Sequence, residues 1–237
     1  MHRSAPRLAR LLACAAVPVA FAAACSSGSD AAKGPAGAEK AAPSASPSGS
    51  PTASASPAVA TAKYAQLPVA CKAVDAGTVA SLVPKAKKPA GTPAGSGSAD
   101  ERGGCSWNGL NGYQYRWMDV SLQRYDSVAG LGSAEQQATK RYNELVAQAK
   151  AAKGATSETV TAAGTWDTGT AVTSKATKDK EEYQDVTVVA RSGNAVVALS
   201  YNGAGLEDAK TPKADDLRKN ALKAAKEAVA SVAAANA

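Results

Sequence analysis

The sequence predicts an α+β fold, an antiparallel β-sheet flanked by helices, in a single domain spanning residues 67–237. Two observations carry the sheet. Residues 113–125 alternate, with Met118, Val120 and Leu122 opposite Trp117, Asp119 and Ser121, and the β-rich runs Tyr183–Arg191 and Ala195–Tyr201 are joined by Ser192-Gly193-Asn194. A third observation carries the helical layer: Leu217, Ala221, Ala224, Ala225, Ala228, Val229 and Val232 recur at helical spacing. The order α, β, β, α, two or three β, α contains hairpins but no strand–helix–strand alternation, which points to an antiparallel arrangement.

Taken in chain order, Leu67-Pro68-Val69-Ala70-Cys71 leads into a short helix capped by Asp75, with Val79, Leu82 and Val83 on one side and Pro84 as its stop. A loop rich in Pro, Gly, Ser and Lys runs from Pro84 to Gly104. Cys105-Ser106-Trp107 opens a strand, Asn108 to Gly112 reads as a turn, and Tyr113 to Tyr125 forms the returning strand with one buried face. Ser133 followed by Gln136 is a capping-box pattern, and Tyr142, Leu145, Val146 and Ala149 continue that helix to a stop at Lys153-Gly154. Val160 to Thr173 predicts a strand or two around Trp166, ahead of the 183–201 hairpin. A polar link with Pro212 then precedes a terminal helix from Leu217 to about Ala234, lying on the sheet. There is no internal repeat.

Composition bounds what such a domain can be. Of the 237 residues 57 are alanine and only 49 are other apolar residues, enough for one modest core. The single histidine, His2, lies in a segment expected to be removed, so imidazole chemistry is excluded from the mature chain. Residues 1–24 combine a basic start (Arg3, Arg7, Arg10), an apolar run from Leu11 to Phe21 and small residues Ala22, Ala23 and Ala24 before Cys25. This is a secretory signal layout, and the apolar run is too short to span a bilayer. The small residues preceding Cys25 and the Ser26-Ser27-Gly28 following it resemble a bacterial lipobox, with Ala22 standing where leucine is commonest. That resemblance implies diacylglyceryl transfer to the Cys25 sulfur, cleavage before it and acylation of the new amine, by palmitate or a similar chain. The rival reading is a plain secreted protein. Residues 25–66 form the lipid anchor and a Ser/Pro/Ala tether unable to fold, about 40 residues with a reach of roughly 35 Å.

Cys14 leaves with the signal and Cys25 takes the lipid, so Cys71 and Cys105 remain in an oxidising setting. A disulfide is the simplest reading. A metal or redox site would lack histidine and any Cys-x-x-Cys. Residues 67–237 carry 21 Lys and Arg against 18 Asp and Glu with the signs mixed, which argues against nucleic acid. Lys85, Lys87 and Lys88 are the nearest approach to a basic patch.

The lipobox, the tether, Leu-Pro-Val-Ala-Cys71, a short helix ending Ser81-Leu82-Val83, and Cys105-Ser106-Trp107 resemble the actinobacterial lipoproteins grouped as domain-of-unknown-function family 3558. The strand pair Val186–Val197 and the terminal helix fit that family as well. The resemblance implies a Cys71–Cys105 disulfide, an extracytoplasmic location and an antiparallel sheet with helices similar to the Mog1/PsbP-like fold. It supplies no catalytic residue.

No catalytic motif emerges from the residues either. There is no Gly-x-Ser-x-Gly elbow, phosphate loop or calcium loop, and the adjacent pairs Glu181-Glu182 and Asp215-Asp216 read as strand neighbours on opposite faces and as a helix cap. Neither a metal nor a cofactor is expected. Tyr113, Tyr115, Trp117 and Tyr125 occupy odd positions on one strand, so they emerge together opposite Met118, Val120 and Leu122 and form a candidate ligand face, unless helices cover both sides of the sheet. The expectation is a non-enzymatic lipoprotein, held on the outer face of the cell membrane through lipid on Cys25. It would bind an unidentified envelope protein or small-molecule ligand, with a carrier or sensor of a small hydrophobic or wall-derived ligand as the first rival and a wall enzyme as the second.

Overall fold

Alternating side chains lie on both halves of one sheet. The computed structural model describes residues 61–95, 98–178 and 180–237, and the expected signal segment, Cys25 and the tether up to residue 60 fall outside them. Seven strands pair in one antiparallel sheet: β1 (Thr92–Ala94), β2 (Arg102–Asn111), β3 (Gln114–Arg124), β4 (Thr156–Thr159), β5 (Thr168–Lys178), β6 (Glu181–Ser192) and β7 (Ala195–Gly205). Their order is β1-β2-β3-β7-β6-β5-β4, so β3 and β7 meet at the centre and join an N-terminal meander to a C-terminal one. Between the two meanders runs α2 (Ala134–Lys150). The helices α1 (Ala76–Leu82) and α3 (Ala214–Ala234) stand before and after them.

The side-chain period of two sorts the sheet into an inner and an outer face. Inward lie Met118, Val120 and Leu122 of β3, in register with Tyr201, Leu199 and Val197 of β7, and all are buried. α3 covers this face with the predicted stripe of Leu217, Ala221, Ala224, Ala225, Ala228, Val229 and Val232, all buried. Four of those alanines are fully inaccessible, so the contact is made by methyl groups and a larger residue there would overpack it. Val79 and Leu82 of α1, with Val83, complete the layer, and the Tyr201 hydroxyl donates to the Leu82 carbonyl at 2.6 Å, satisfying a helix end. On the outer face α2 packs Ala138, Tyr142 and Val146 against Val189 and Val196, with Ala134 also buried in its first turn.

The local signals explain the ends of the elements. Asp75 caps α1 by accepting from Gly77 N and Thr78 N, and Ser133 and Gln136 form the expected reciprocal capping box on α2. The β6–β7 hairpin turns through Gly193, at φ +53°, and Asn194.

Other expectations are corrected. The first hairpin turns at Gly112-Tyr113 rather than over Asn108 to Gly112, because β2 continues to Asn111 and only Gly112, at φ +60°, has the left-handed backbone a two-residue turn needs. Trp166 sits in a loop, its indole donating to the Val160 carbonyl at 3.1 Å, and the strand starts at Thr168. Asp215 and Asp216 lie inside the first turn of α3 and do not cap it; Lys213 holds the cap position. The short edge strands β1 and β4 are exposed along their length and lack the apolar alternation that would announce them.

The expected tether boundary at residue 66 also moves. Tyr64 is buried, and Asn194, fully buried in the β6–β7 turn, accepts from Tyr64 N at 2.8 Å while donating to the carbonyls of Tyr64 at 2.9 Å and Tyr125 at 2.8 Å. At the other terminus the Asn236 side chain accepts from Ala65 N and Gln66 N and donates to the Gln66 carbonyl. Residues 63–66 are therefore fastened to the sheet and to the end of α3.

Cys71 and Cys105 are bonded, with Cα atoms 5.0 Å apart, which places the segment before α1 against β2. The loop inside that ring packs over it: Trp107 donates to the Pro89 carbonyl at 3.2 Å, and a Cβ on Gly91 would meet Cys105 Sγ at 2.3 Å. Two predictions follow from these ties. Replacing both Cys71 and Cys105 by Ala releases a ring of 34-residue separation and lowers the unfolding free energy by about 4 kcal/mol, measured by urea titration. Asn194→Ala strands three backbone groups and costs about 3 kcal/mol in the same measurement.

Candidate functional site

The outer face is only half covered, and the uncovered half is the candidate site. α2 spans 17 residues, about 25 Å, and its buried Ala138, Tyr142 and Val146 sit over the Val189–Val196 end of the central strands. Beyond Ala149 the helix runs out over polar rows of the sheet. There the strands and the end of α2 enclose an open groove of about 1110 Å³.

Register fixes its floor. Trp117 of β3 pairs with Asn202 of β7, which pairs with Asp185 of β6, which pairs with Ser174 of β5; the next row is Asp119, Ser200, Thr187 and Val172. Positions two apart on every strand share a face, so Trp117, Asp119, Asp185, Thr187, Ser200 and Asn202 converge, and all six line the groove. Trp117 keeps 44% of its surface exposed in the groove wall.

The electrostatics of the floor are one-sided. Asp119 and Asp185 are half-buried, and among the described residues neither forms an ion pair or a hydrogen bond. Burial alone acts on both, pushing each carboxyl above the ordinary value of 3.8. The Asn202 Oδ1 is buried without a partner. The Thr187 and Ser200 hydroxyls bond each other at 3.2 Å, and neither is activated by a carboxylate. Lys175 and Lys153 stand at one rim, Lys175 held by Glu182 at 3.4 Å.

The four aromatic residues singled out in the sequence do not form one surface. Only Trp117 lines the groove. Tyr113 is exposed in the β2–β3 turn, and Tyr115 packs edge-on against Tyr183 with ring centroids 6.2 Å apart. Tyr125 lies past the end of β3, its hydroxyl donating to Gln123 Oε1 at 2.9 Å, and it packs beside α2 with Leu145. Alternation placed Tyr125 on the same side as Trp117, but eight residues separate them, about 26 Å of strand.

Asp119, Asp185 and Asn202 are the residues sequence reasoning passed over. A polar side chain on the outward positions of otherwise buried strands was the available signal. What it lacked was the pairing of β3 with β7, which alone brings β3 and β6 within one strand of each other. Among the described residues no group of three or more His, Cys, Asp or Glu is arranged to hold a metal, and no helix is long and apolar enough to cross a membrane.

Because burial raises both carboxyls, the folded chain holds these protons more tightly than the unfolded chain, and their ionisation destabilises the fold as pH rises from 3.8 through the folded values. Asp119→Asn and Asp185→Asn are each expected to raise Tm at pH 7, and the gain should vanish below pH 3.8, where both carboxyls are neutral in either state; a lowered Tm at pH 7 would contradict this.

No protein-family model matches the chain, and no curated relative matches it.

Proposed function

We propose that the chain is a membrane-anchored lipoprotein whose domain is a non-enzymatic binding module of the cell envelope, with its ligand in the outer-face groove. The observation that carries this reading is the groove itself, a large open concavity whose floor keeps uncompensated carboxylates beside an exposed indole. Unpaired polar groups of this kind cost stability, and they persist where a ligand completes them. The resemblance to the family 3558 lipoproteins supports the export and anchoring half of the proposal, as do the signal layout and Cys25.

The point where the chain joins the domain supports the same picture. Lys63 and Tyr64 reach Ser192 beside the β6–β7 turn, while Asp185 lies seven residues back along β6, about 23 Å away. A tether from the membrane thus attaches at one end of the strands and the groove opens toward the other. A carrier of a small hydrophobic ligand would use the apolar part of the lining, Trp117, Ala149, Ala152 and Ala176. A carrier or sensor of a polar, wall-derived ligand uses the same groove.

Cys25→Ala is expected to release the protein from membrane to medium in the native host, read by immunoblot of the two fractions; retention on the membrane would refute the anchor. For the groove, native mass spectrometry of the protein extracted from its own membrane should show a bound small molecule that Trp117→Ala lowers in occupancy. A clean unliganded mass would move the ligand elsewhere.

A further inference from the structure

The groove floor carries two unpaired carboxylates, while its donors are the Asn202 amide nitrogen, the Trp117 indole and, at the rim, Lys153 and Lys175. Asp119 and Asp185 offer four carboxylate oxygens with no cation beside them. Of the two hydroxyl protons on Thr187 and Ser200, one is used between them. The complement to such a floor is a ligand made of N–H donors carrying positive charge. Trp117 adds the same preference, since an exposed indole face attracts cations.

Spacing narrows the class. Asp119 and Asp185 lie two strands and two residues apart on one face, about 12 Å between Cα atoms at standard sheet dimensions. An extended chain of about eight to ten bonds covers that distance. We infer that the groove binds a linear organic amine with two or more ammonium groups, one end on Asp119 and the other on Asp185, with the chain between them lying along Trp117 and Asn202. This rests on the reading of the groove as the ligand site and names the chemistry of its occupant. The lysines at the rim do not neutralise the floor: Lys175 is engaged by Glu182, and Lys153 follows the exposed end of α2.

Isothermal titration of the purified protein with diaminooctane, with octylamine as the single-charge control, tests the inference. Diaminooctane is expected to bind one per chain and about tenfold more tightly than octylamine, and Asp119→Asn or Asp185→Asn should each bring it down to the octylamine level. Both variants are expected to fold, which their Tm verifies. In the unsubstituted protein, affinity should also fall as pH drops and the two carboxyls protonate. Equal affinity for the two amines, or binding unchanged in both Asn variants, would overturn the inference. A chitooligosaccharide that binds and perturbs Trp117 fluorescence while both amines fail would overturn the amine and leave the groove reading intact. If neither amines nor saccharide bind and the native protein carries no ligand, both readings fall.

Discussion

How much of the sheet its helices cover governs this molecule. A sheet buries a face only where a second layer lies on it, and the polarity of every outward position depends on that coverage. α3, with α1 beside it, closes the inner face, and the strands answer with Val, Leu, Met and Tyr. α2 closes one end of the outer face and stops, and there the strands answer with Val189 and Val196 under the helix and with Asp185, Thr187, Ser200 and Asn202 beyond it. The groove is the part of the sheet that α2 leaves uncovered.

Alanine makes the inner layer work with few large side chains. The methyl surface of α3 against branched residues of β6 and β7 gives a core with no isoleucine anywhere in the chain. Such a core has little spare volume and little spare energy, so ties between segments distant in sequence matter more than in a larger domain. The Cys71–Cys105 bond, Asn194 and Asn236 are those ties. Each fastens the segment between residues 63 and 71 to a different part of the domain, and the amide pair does so by satisfying backbone groups that no strand ladder reaches.

The floor of the groove runs against this economy. Two half-buried carboxylates without partners, and an amide oxygen left unsatisfied, weaken a fold that has little to spare. Outside the groove, Arg191 meets Asp167 at 3.1 Å and Arg124 meets Asp126, while Gln184 Oε1 and Arg191 Nε are also buried without a partner among the described residues. The proposed role of the groove in recognition accounts for that cost.

Much of the fold is legible in the residues because its signals are local. Asp75, the Ser133–Gln136 box and the helical stripe of α3 each act within one or two turns, and Ser192-Gly193-Asn194 sets its hairpin within three residues. The pairing of Cys71 with Cys105 is legible too, since the other two cysteines have other fates in the expected export pathway. The two edge strands, the buried role of Tyr64 and the separation of Tyr125 from Trp117 are not: the edge strands carry no apolar alternation, Tyr64 is held by a residue 130 positions away, and Tyr125 lies beyond the point where its strand ends. The groove lies furthest from sequence reading. Periodicity puts Trp117 and Asp119 on one face of β3 and Asp185 on one face of β6, but a strand carries no mark of its neighbour; only the docking of β3 onto β7 converts two separate outward positions into one acidic floor.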